Sequence, residues 1–462
     1  MLRDRYDPVN IFEMVPALSF TIEPVLARLD DLLDEDRLFG EVRADLAKRY
    51  PQTLTNGRPS TPVEVILRML VIKHLHGWSY EQTERWVSDS LVLRQFCRVY
   101  LAPVPDDTTL IRWAKLMRPE TLHRLLDHVV ALARSLKVTR GRKLRVDGTV
   151  VETNIHHPTD STLLRDGVRV LSRALKRAKQ LVRDVTGLGR DAFRDRRRSM
   201  TRHVYRITKA ARQRGQAAEQ AMQAGYRTIL AIAAASVAQA RAVSEAVGRE
   251  TSKAAAKVAE TLERVSELTQ KVISQTTRRV EAHEHVPANE KVVSVFEPHT
   301  VIIRKGRIGH ETEFGRGVWL DEADGGIITR YAVIAGHPVD SAQVTPSLDH
   351  HVAAFGRPPR MVAGDRGTYS AANEEYATAK GVRQVVLPKP GAKSAQREAH
   401  EKQPWFGRGR RWRSGIEGRI SVLKRRYKLR RCLNHGEDGM ERWVGWGVIA
   451  HDLWVIARAT AR

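Results

Sequence analysis

The chain has 462 residues, 42% of them apolar and 28% charged, which is ordinary for a globular protein and long enough for two to four domains. Its charge is not ordinary, because 78 Lys+Arg against 53 Asp+Glu give a formal net charge of +25. Such an excess attracts polyanions, most often nucleic acid and otherwise an anionic membrane surface. Its two cysteines, Cys97 and Cys432, are too few for a disulfide framework or a cysteine-based zinc site, and we expect two buried thiols.

The sequence gives no sign of secretion or membrane insertion. Residues 1–10 are charged and no apolar run follows them, so no signal peptide is expected. The most apolar segments, residues 229–237 and 443–456, are too short or are interrupted by His451 and Asp452. We therefore expect a cytoplasmic protein.

Residues 1–140 form an all-helical N-terminal domain in this interpretation. Capping residues and terminal glycines predict short helices over residues 61–77, 79–90 and 107–117, the first opened by Thr61. Short helices joined by tight turns are typical of a helix-turn-helix, which would turn Arg112 and Lys115 toward DNA. A helical bundle packed on the next domain explains the pattern equally well.

The hydrophobic period changes at Lys143. Leu144 and Val146 lie on one face of a predicted strand, and Asp147 ends that strand and is followed by Gly148. An acid in a β run is disfavoured by propensity. Residues that depart from the local structural preference in this way are often found at functional sites.

Residues 161–290 are predicted to be a helical insertion. Apolar residues recur at heptad-like spacing, which indicates a long, coiled-coil-like helical hairpin. Residues 161–215 contain 17 Lys/Arg against four Asp, so this basic half is suited to lying along phosphates. A solvated coiled-coil face is the alternative.

Strand signals resume near residue 291. Strands are predicted over residues 292–296, 300–308, 318–336, 360–365 and 382–390, with helices over 345–356 and 371–380 between them. The strand 360–365 closes on Asp365, with Gly367 shortly after it. Because strands and helices alternate on both sides of the insertion, residues 141–160 and 291–431 are predicted to form one split α/β domain. Residues 432–462 are predicted to pack on it as a C-terminal helix.

Residues 405–431 contain eleven Lys/Arg and a single acid, Glu417. Stepping about 100° per residue, five apolar side chains form one core-facing seam, namely Trp412, Ile416, Ile420, Leu423 and Tyr427. Along one border of that seam lie Arg413, Glu417, Lys424 and Lys428. A helical salt bridge between Arg413 and Glu417, contributing about 0.3–0.5 kcal/mol, is the modest interpretation of this pattern.

Three acids therefore stand out, Asp147, Asp365 and Glu417, on rigid strands and a packed helix. Three converging carboxylates can hold two divalent ions about 3.5–4 Å apart, the arrangement that in-line attack on a phosphodiester requires. Carboxylates are hard oxygen ligands, which favour Mg²⁺ or Mn²⁺ over zinc.

The sequence resembles the DDE transposases of bacterial insertion sequences, with an ISNCY-like order of parts. The resemblance is carried by Asp147-Gly148-Thr149, by Asp365-Arg366-Gly367 and by Arg413-x3-Glu417-x6-Lys424, which matches part of the family's third motif. Arg410 stands where that family usually has a tyrosine. The helical segment from Gly57 to Ser90 also resembles the domain that precedes the family's catalytic core.

The resemblance implies an α/β RNase H-like core, a mixed sheet with flanking helices, interrupted by the long helical insertion and preceded by the all-α domain. It implies that Asp147, Asp365 and Glu417 bind two Mg²⁺ ions, that DNA is cut at the element's ends, and that the freed 3′-hydroxyl attacks target DNA. It also implies double-stranded DNA as partner and a homodimer or higher assembly. Two alternatives stay open: a catalytically silent DNA-binding protein and a nuclease without strand transfer.

Basic and aromatic residues near the acids and on the N-terminal helices are the predicted DNA contacts. Trp405 is a candidate for stacking on an unpaired base. The full set is Arg413, Lys424, Lys428, Arg410, Trp405, Arg112 and Lys115.

Overall fold

The computed structural model describes residues 1–14, 22–182, 188, 191–304, 312–336 and 339–461. The chain divides into two compact units. We call the first, formed by Met1–Asn154 and Arg316–Arg462, the core unit, and the second, Ile155–Gly315, the inserted unit. The part of the predicted strand 300–308 that falls on residues 305–308 lies outside the described residues.

The N-terminal part of the core unit is helical, as predicted. Its helices are α1 (Ile11–Met14), α2 (Pro24–Leu33), α3 (Asp36–Leu46), α4 (Val63–His76), α5 (Tyr80–Asp89), α6 (Leu91–Phe96), α7 (Asp107–Leu116) and α8 (Pro119–Ser135). The predicted helix over 61–77 is α4, but its N-cap is Pro62 and not Thr61. It ends as predicted at Gly77, whose φ of +65° is one that glycine adopts without strain.

Helix α4 is buried on almost all sides, because its sequence is apolar around the whole helix. The one arginine in it, Arg68, is fully buried and is bound by the carboxylates of Asp30, Asp34 and Glu64. Buried charges are found in proteins when they are paired in this way. The two cysteines are buried free thiols, as expected.

Strand β1 (Lys143–Thr153) leads from the core unit toward the inserted unit. The inserted unit contains α9 (Asp160–Ala178), α10 (Arg197–Ala210), α11 (Gln216–Gly248), α12 (Lys253–Val280) and the short strand β2 (Val301–Arg304). The prediction that residues 161–290 form a single helical hairpin was wrong. The long helices α11 and α12 pair, but α9 and α10 also pack on them, because their apolar residues, such as Leu164 and Met200, need a core of their own.

The predicted strand over residues 292–296 was also wrong. This segment is irregular, and Val293 and Val295 are buried. The side chain of Gln275 bonds both backbone groups of Val292, accepting from its N–H at 2.9 Å and donating to its carbonyl at 3.2 Å. Residues 292–296 therefore pack in the inserted unit as an irregular segment. The side chain of Gln275 provides two backbone hydrogen bonds that a neighbouring strand would provide in a sheet.

By length and composition alone, α11 is the one helix of the described residues that could cross a membrane. Interior helices of globular proteins satisfy the same criterion. Residues along α11, including Ile229, Ala233, Val237 and Ala240, are buried against the other helices of the inserted unit.

The core unit contains a mixed sheet, as predicted. Its further strands are β3 (Thr312–Ala323), β4 (Ile328–Ile334), β5 (Met361–Ala363), β6 (Gln384–Val386) and β7 (Arg431–Cys432). The strands run in the order β3-β1-β5-β6, with β5 parallel to both β1 and β6. Strand β4 pairs antiparallel with β3, and β7 pairs parallel with the end of β1. Residues 312–315 of β3 belong to the inserted unit and pair with β2.

The helices that follow in the described part of the core unit are α13 (Val344–Phe355), α14 (Ala371–Ala379), α15 (Ala395–Glu401), α16 (Pro404–Arg425) and α17 (Glu437–Thr460). The predicted helices over 345–356 and 371–380 are α13 and α14. Helix α17 is apolar on nearly all sides and shares one hydrophobic core with the N-terminal helices and with part of the sheet. The chain is thus a mixed α/β protein with many helices.

Candidate active site

Asp147 lies inside strand β1, not at its end. The strand continues to Thr153 because Val150 and Val151 are again buried and because its last residues pair with β7. The predicted strand end at Asp147 was therefore wrong. Asp147 remains an acid in a β strand, held on a rigid element with its side chain 14% exposed.

The sheet register places Asp365 beside Asp147. Lys143 pairs with Met361 and Arg145 with Ala363 on the neighbouring parallel strand β5, so two residues further along the chains are Asp147 and Asp365. Neighbouring strands lie about 4.8 Å apart. Asp365 follows the end of β5 and caps a short helical turn, where its Oδ1 accepts from the backbone N–H of Thr368 at 3.1 Å.

Helix α16 carries the third acid, Glu417. The helix is anchored by buried Phe406, Ile416 and Leu423, and Ile416 and Leu423 belong to the predicted apolar seam. Glu417 is exposed, with 64% of its side chain accessible. The prediction of a core-facing seam bordered by Glu417 is therefore confirmed for this part of the helix.

Arg413 connects the strand acid to the helix acid. Its Nη2 lies 2.8 Å from Asp147 Oδ2, and its Nη1 donates to Glu417 Oε1 at 2.9 Å. The predicted salt bridge between Arg413 and Glu417 is thus present, and Arg413 forms a second salt bridge with Asp147. A single guanidinium holds Asp147 of β1 and Glu417 of α16 together.

The pKa of Asp147 is raised to about 6, chiefly by burial, in spite of its contact with Arg413. The negative charges of Asp365 and Glu417 contribute to this raised pKa, while Arg413 and the Gly148 backbone N–H oppose it. The charges of Asp365 and Glu417 therefore both act on Asp147, so all three acids belong to one electrostatic neighbourhood.

The donor set fits a magnesium ion by its chemistry. All three groups offer carboxylate oxygens, the hard ligands that Mg²⁺ prefers. A divalent cation would also stabilise the ionised form of Asp147, which burial and the neighbouring negative charges disfavour. Within the described ranges, however, no three Asp, Glu, His or Cys side chains form a metal-coordinating group. In this structure the cation between Asp147 and Glu417 is Arg413.

Asp340 is a fourth acid that the sequence analysis missed. A Cβ placed on Gly367 would lie 3.0 Å from Asp340 Oδ2 and 3.3 Å from Asp365 Oδ1, and one placed on Gly148 would lie 3.5 Å from Asp340 Oδ1. Burial first, and then the charge of Asp365, raise the pKa of Asp340. The two glycines that follow the acids thus leave room for carboxylates. Asp340 lies in a short turn with no periodic pattern, so the sequence carried no signal for it.

Glu322 on β3 is a second missed residue. It is fully buried and accepts from Arg145 at 2.6 and 2.9 Å and from Arg419 at 3.2 Å. Arg145 stands two residues before Asp147 on β1, and Arg419 two residues after Glu417 on α16. This ion cluster therefore fixes the helix on the strand close to both acids. The available signal was the pair of acids Asp321 and Glu322 in an otherwise apolar strand run, and that signal does not show which residues they contact.

The predicted DNA contacts lie at or near the surface. Arg410, Arg112 and Lys115 are exposed, and Lys424 and Trp405 are half-buried. Arg112 and Lys115 line a cleft of about 560 Å³ with two further arginines, Arg49 and Arg58. Trp405 contacts Phe406 and His400 edge to face. DNA binding by these residues stays a prediction.

The predicted place of Lys428 on the Glu417 helix was wrong. Helix α16 ends at Arg425, and the N–H groups of Tyr427 and Leu429 both bond to the carbonyl of Leu423. Lys428 adopts a φ of +59°, and its side chain packs over Gly77 at the end of α4. The helix stops here because the chain must turn to form β7 beside β1.

The fold and site define a strongly basic α/β protein that brings acids from two neighbouring parallel strands together with an acid on a basic helix. Residues 16–116 match the family described as Transposase domain (DUF772). The "Uncharacterized protein ORF8 in nfe locus" of Rhizobium meliloti is 34% identical over 151 residues, which cover 30% of this chain and 72% of that protein. No solved structure matches. The chain belongs to the transposases of insertion sequences.

Proposed function

We propose that the protein is a DDE transposase with an RNase H-like core, which cuts DNA at transposon ends and joins those ends to target DNA. The observation that carries the proposal is the register of Asp147 with Asp365 on parallel strands, with Glu417 tied to Asp147 through Arg413. The membership of the transposase family and the net charge of +25 support it.

Asp147, Asp365 and Glu417 are the residues that would hold two Mg²⁺ or Mn²⁺ ions. When bound, such ions activate the attacking oxygen and stabilise the leaving oxygen of a phosphodiester. The chain supplies position and charge. Asp147 and Asp365 fix the site on the sheet, and Arg413 and Lys424 present cations to the phosphates next to the cut.

The partner in this proposal is double-stranded DNA, bound in the cytoplasm. A homodimer or higher assembly follows from the need to hold two transposon ends at once. Phosphate contacts by the basic helices supply most of the affinity, so binding weakens as salt rises.

A catalytically silent DNA-binding protein is the second candidate. The observation that favours it is Arg413, which bridges two of the acids where a metal would be held, together with the lack of a coordinating group among the described residues. The experiment below separates the two functions.

The test is cleavage of end-labelled DNA that carries the sequences flanking this gene, with Mg²⁺ or with EDTA, by the wild type and by Glu417→Gln. We expect metal-dependent cuts at fixed positions by the wild type and at least about 100-fold less cleavage by the variant, because a metal ligand is lost. DNA binding should change by less than about twofold, since the basic surface stays intact.

Glu398→Gln is the matched control, because Glu398 also pairs with a basic residue four positions along an exposed helix, Lys402. It should cleave like the wild type. Equal cleavage by both variants would exclude Glu417 from the site. Tight binding without cuts by the wild type would favour the silent DNA-binding protein, and cuts without joined products would favour a nuclease.

A further inference from the structure

A basic cleft of about 830 Å³ lies between α16 and α17 of the core unit. Four arginines line it, Arg419, Arg425, Arg426 and Arg458, and none of the lining residues that the structure describes is acidic. Clefts of this size accommodate ligands of small-molecule dimensions. A single nucleotide is within that range.

The cleft is separate from the candidate active site. At 100° per residue, Arg419 and Val422 of α16 and Arg426, the residue that caps its end, lie within about 60° of one another around the helix axis. Glu417 and Arg413 lie on the opposite face, which carries the contact to Asp147. A ligand in the cleft would therefore contact α16 from the side away from the acids.

Three of the four arginines keep an uncompensated charge. Arg419 is paired with buried Glu322, and it contacts Nε2 of His451, whose pKa burial lowers to about 3 so that the ring is neutral. Arg425, Arg426 and Arg458 are exposed and form no ion pair within the part of the chain that the structure describes. The rim thus carries a formal charge of about +3, which a polyanion would neutralise.

Aromatic and apolar side chains also line the cleft. The guanidinium carbon of Arg426 lies 4.4 Å from the centre of the Trp454 ring, and Tyr427, Val422 and Val455 are among the other lining residues. A planar cation stacked on an aromatic ring, beside further arginines, is the combination that binds unpaired bases together with their phosphates.

We propose that this cleft binds a single DNA strand, with its phosphates on Arg425, Arg426 and Arg458 and one unpaired nucleotide against the Arg426–Trp454 stack. The site requires neither a metal ion nor the three acids. It would hold a DNA strand on the side of α16 that faces away from the three acids. This inference is independent of whether the acids cleave DNA.

The test is fluorescence anisotropy of the full chain with a labelled single-stranded oligonucleotide and with the matching duplex, in EDTA, over a salt series. Arg426→Ala/Arg458→Ala should weaken single-strand binding about tenfold or more. It should lower the slope of log affinity against log salt by about 1.4, since each lost phosphate contact on a single strand contributes about 0.7. Binding of the duplex should weaken less.

Arg85→Ala/Lys402→Ala is the control, because it removes the same charge from exposed residues that already pair with Asp89 and Glu398. Equal losses in the two double variants would overturn the proposal, and so would a loss confined to the duplex. A changed oligomeric state in size-exclusion chromatography with unchanged DNA binding would show a protein interface instead. Arg426→Lys/Arg458→Lys keeps the charge and should restore the salt slope but not the full affinity, which excludes misfolding as the cause.

Discussion

At the scale of single residues, the decisive group is Asp147. Its side chain is mostly buried on a strand, it touches one cation, and two further acids act on it. Burial and like charge both favour the protonated form, so its pKa lies near 6. A bound divalent cation would stabilise the ionised carboxylate of Asp147 strongly, since it offsets the free-energy cost of keeping a buried negative charge.

This pKa predicts how metal affinity depends on pH. A metal ligand must be ionised, and the fraction of ionised Asp147 falls as the pH falls through about 6. Titration calorimetry with Mn²⁺ should therefore show about tenfold weaker binding near pH 5 than near pH 7.5, for one group with this pKa. Asp147→Asn should show weak binding at both pH values. Equal affinity of the wild type at both would contradict a role of Asp147 as ligand.

At the scale of elements, the position of α16 on the sheet is set by a buried charge cluster. Glu322 of β3 accepts hydrogen bonds from Arg145 of β1 and from Arg419 of α16. Arg145 also donates a hydrogen bond to the Trp412 carbonyl at 2.6 Å. The guanidinium of Arg145 lies 4.9 Å from the centre of the Trp412 ring. The helix that carries Glu417 is thus attached to the strand that carries Asp147 by directional bonds.

Removing the central charge should loosen that attachment. Glu322→Gln leaves two mostly buried guanidinium groups without their carboxylate, which typically costs about 3–5 kcal/mol. Urea unfolding measures the loss. Glu152→Gln, which breaks the more exposed pair of Glu152 with Arg431, should cost at most about 1 kcal/mol. Equal losses in the two variants would mean that the buried cluster does not fix α16.

At the scale of the whole molecule, the chain carries a formal net charge of +25. Helix α10 of the inserted unit carries part of this charge, with Met200, Val204 and Ile207 buried on one side. On the other side, five of its exposed residues form a stripe, namely Arg198, Arg202, Tyr205, Arg206 and Lys209. The stripe is the part of the basic segment 161–215 best suited to a phosphate backbone.

Neutralising the stripe should weaken duplex binding through its salt dependence. Arg198→Ala/Arg202→Ala/Arg206→Ala should lower the slope of log affinity against log salt by up to about 2.7, at about 0.9 per duplex phosphate. Lys253→Ala/Lys257→Ala/Arg264→Ala removes the same charge from an exposed face of α12 that also carries Glu260, Glu263 and Glu267. Its slope should change less. The same change in both would assign the effect to net charge alone.

The sequence identified the parts of this fold whose pattern is local. The strands around Asp147 and Asp365 and the helix with Glu417 follow from periodicity, capping residues and glycines. Asp340 and Glu322 could not be placed, because contacts between distant segments have no periodic signature. The irregular segment 292–296 and the turn at Lys428 were mispredicted because Gln275 and the pairing of β7 with β1, both tertiary, override local propensity.

In the proposed function, Asp147, Asp365 and Glu417 form one metal site. The most direct measurement is anomalous X-ray scattering from crystals of the protein bound to DNA and soaked in Mn²⁺. We predict a peak about 2.1 Å from carboxylate oxygens of both Asp147 and Asp365, with Glu417 at that ion or at a second one. A map with no peak among these acids, and with Arg413 still bridging Asp147 and Glu417, would contradict the claim.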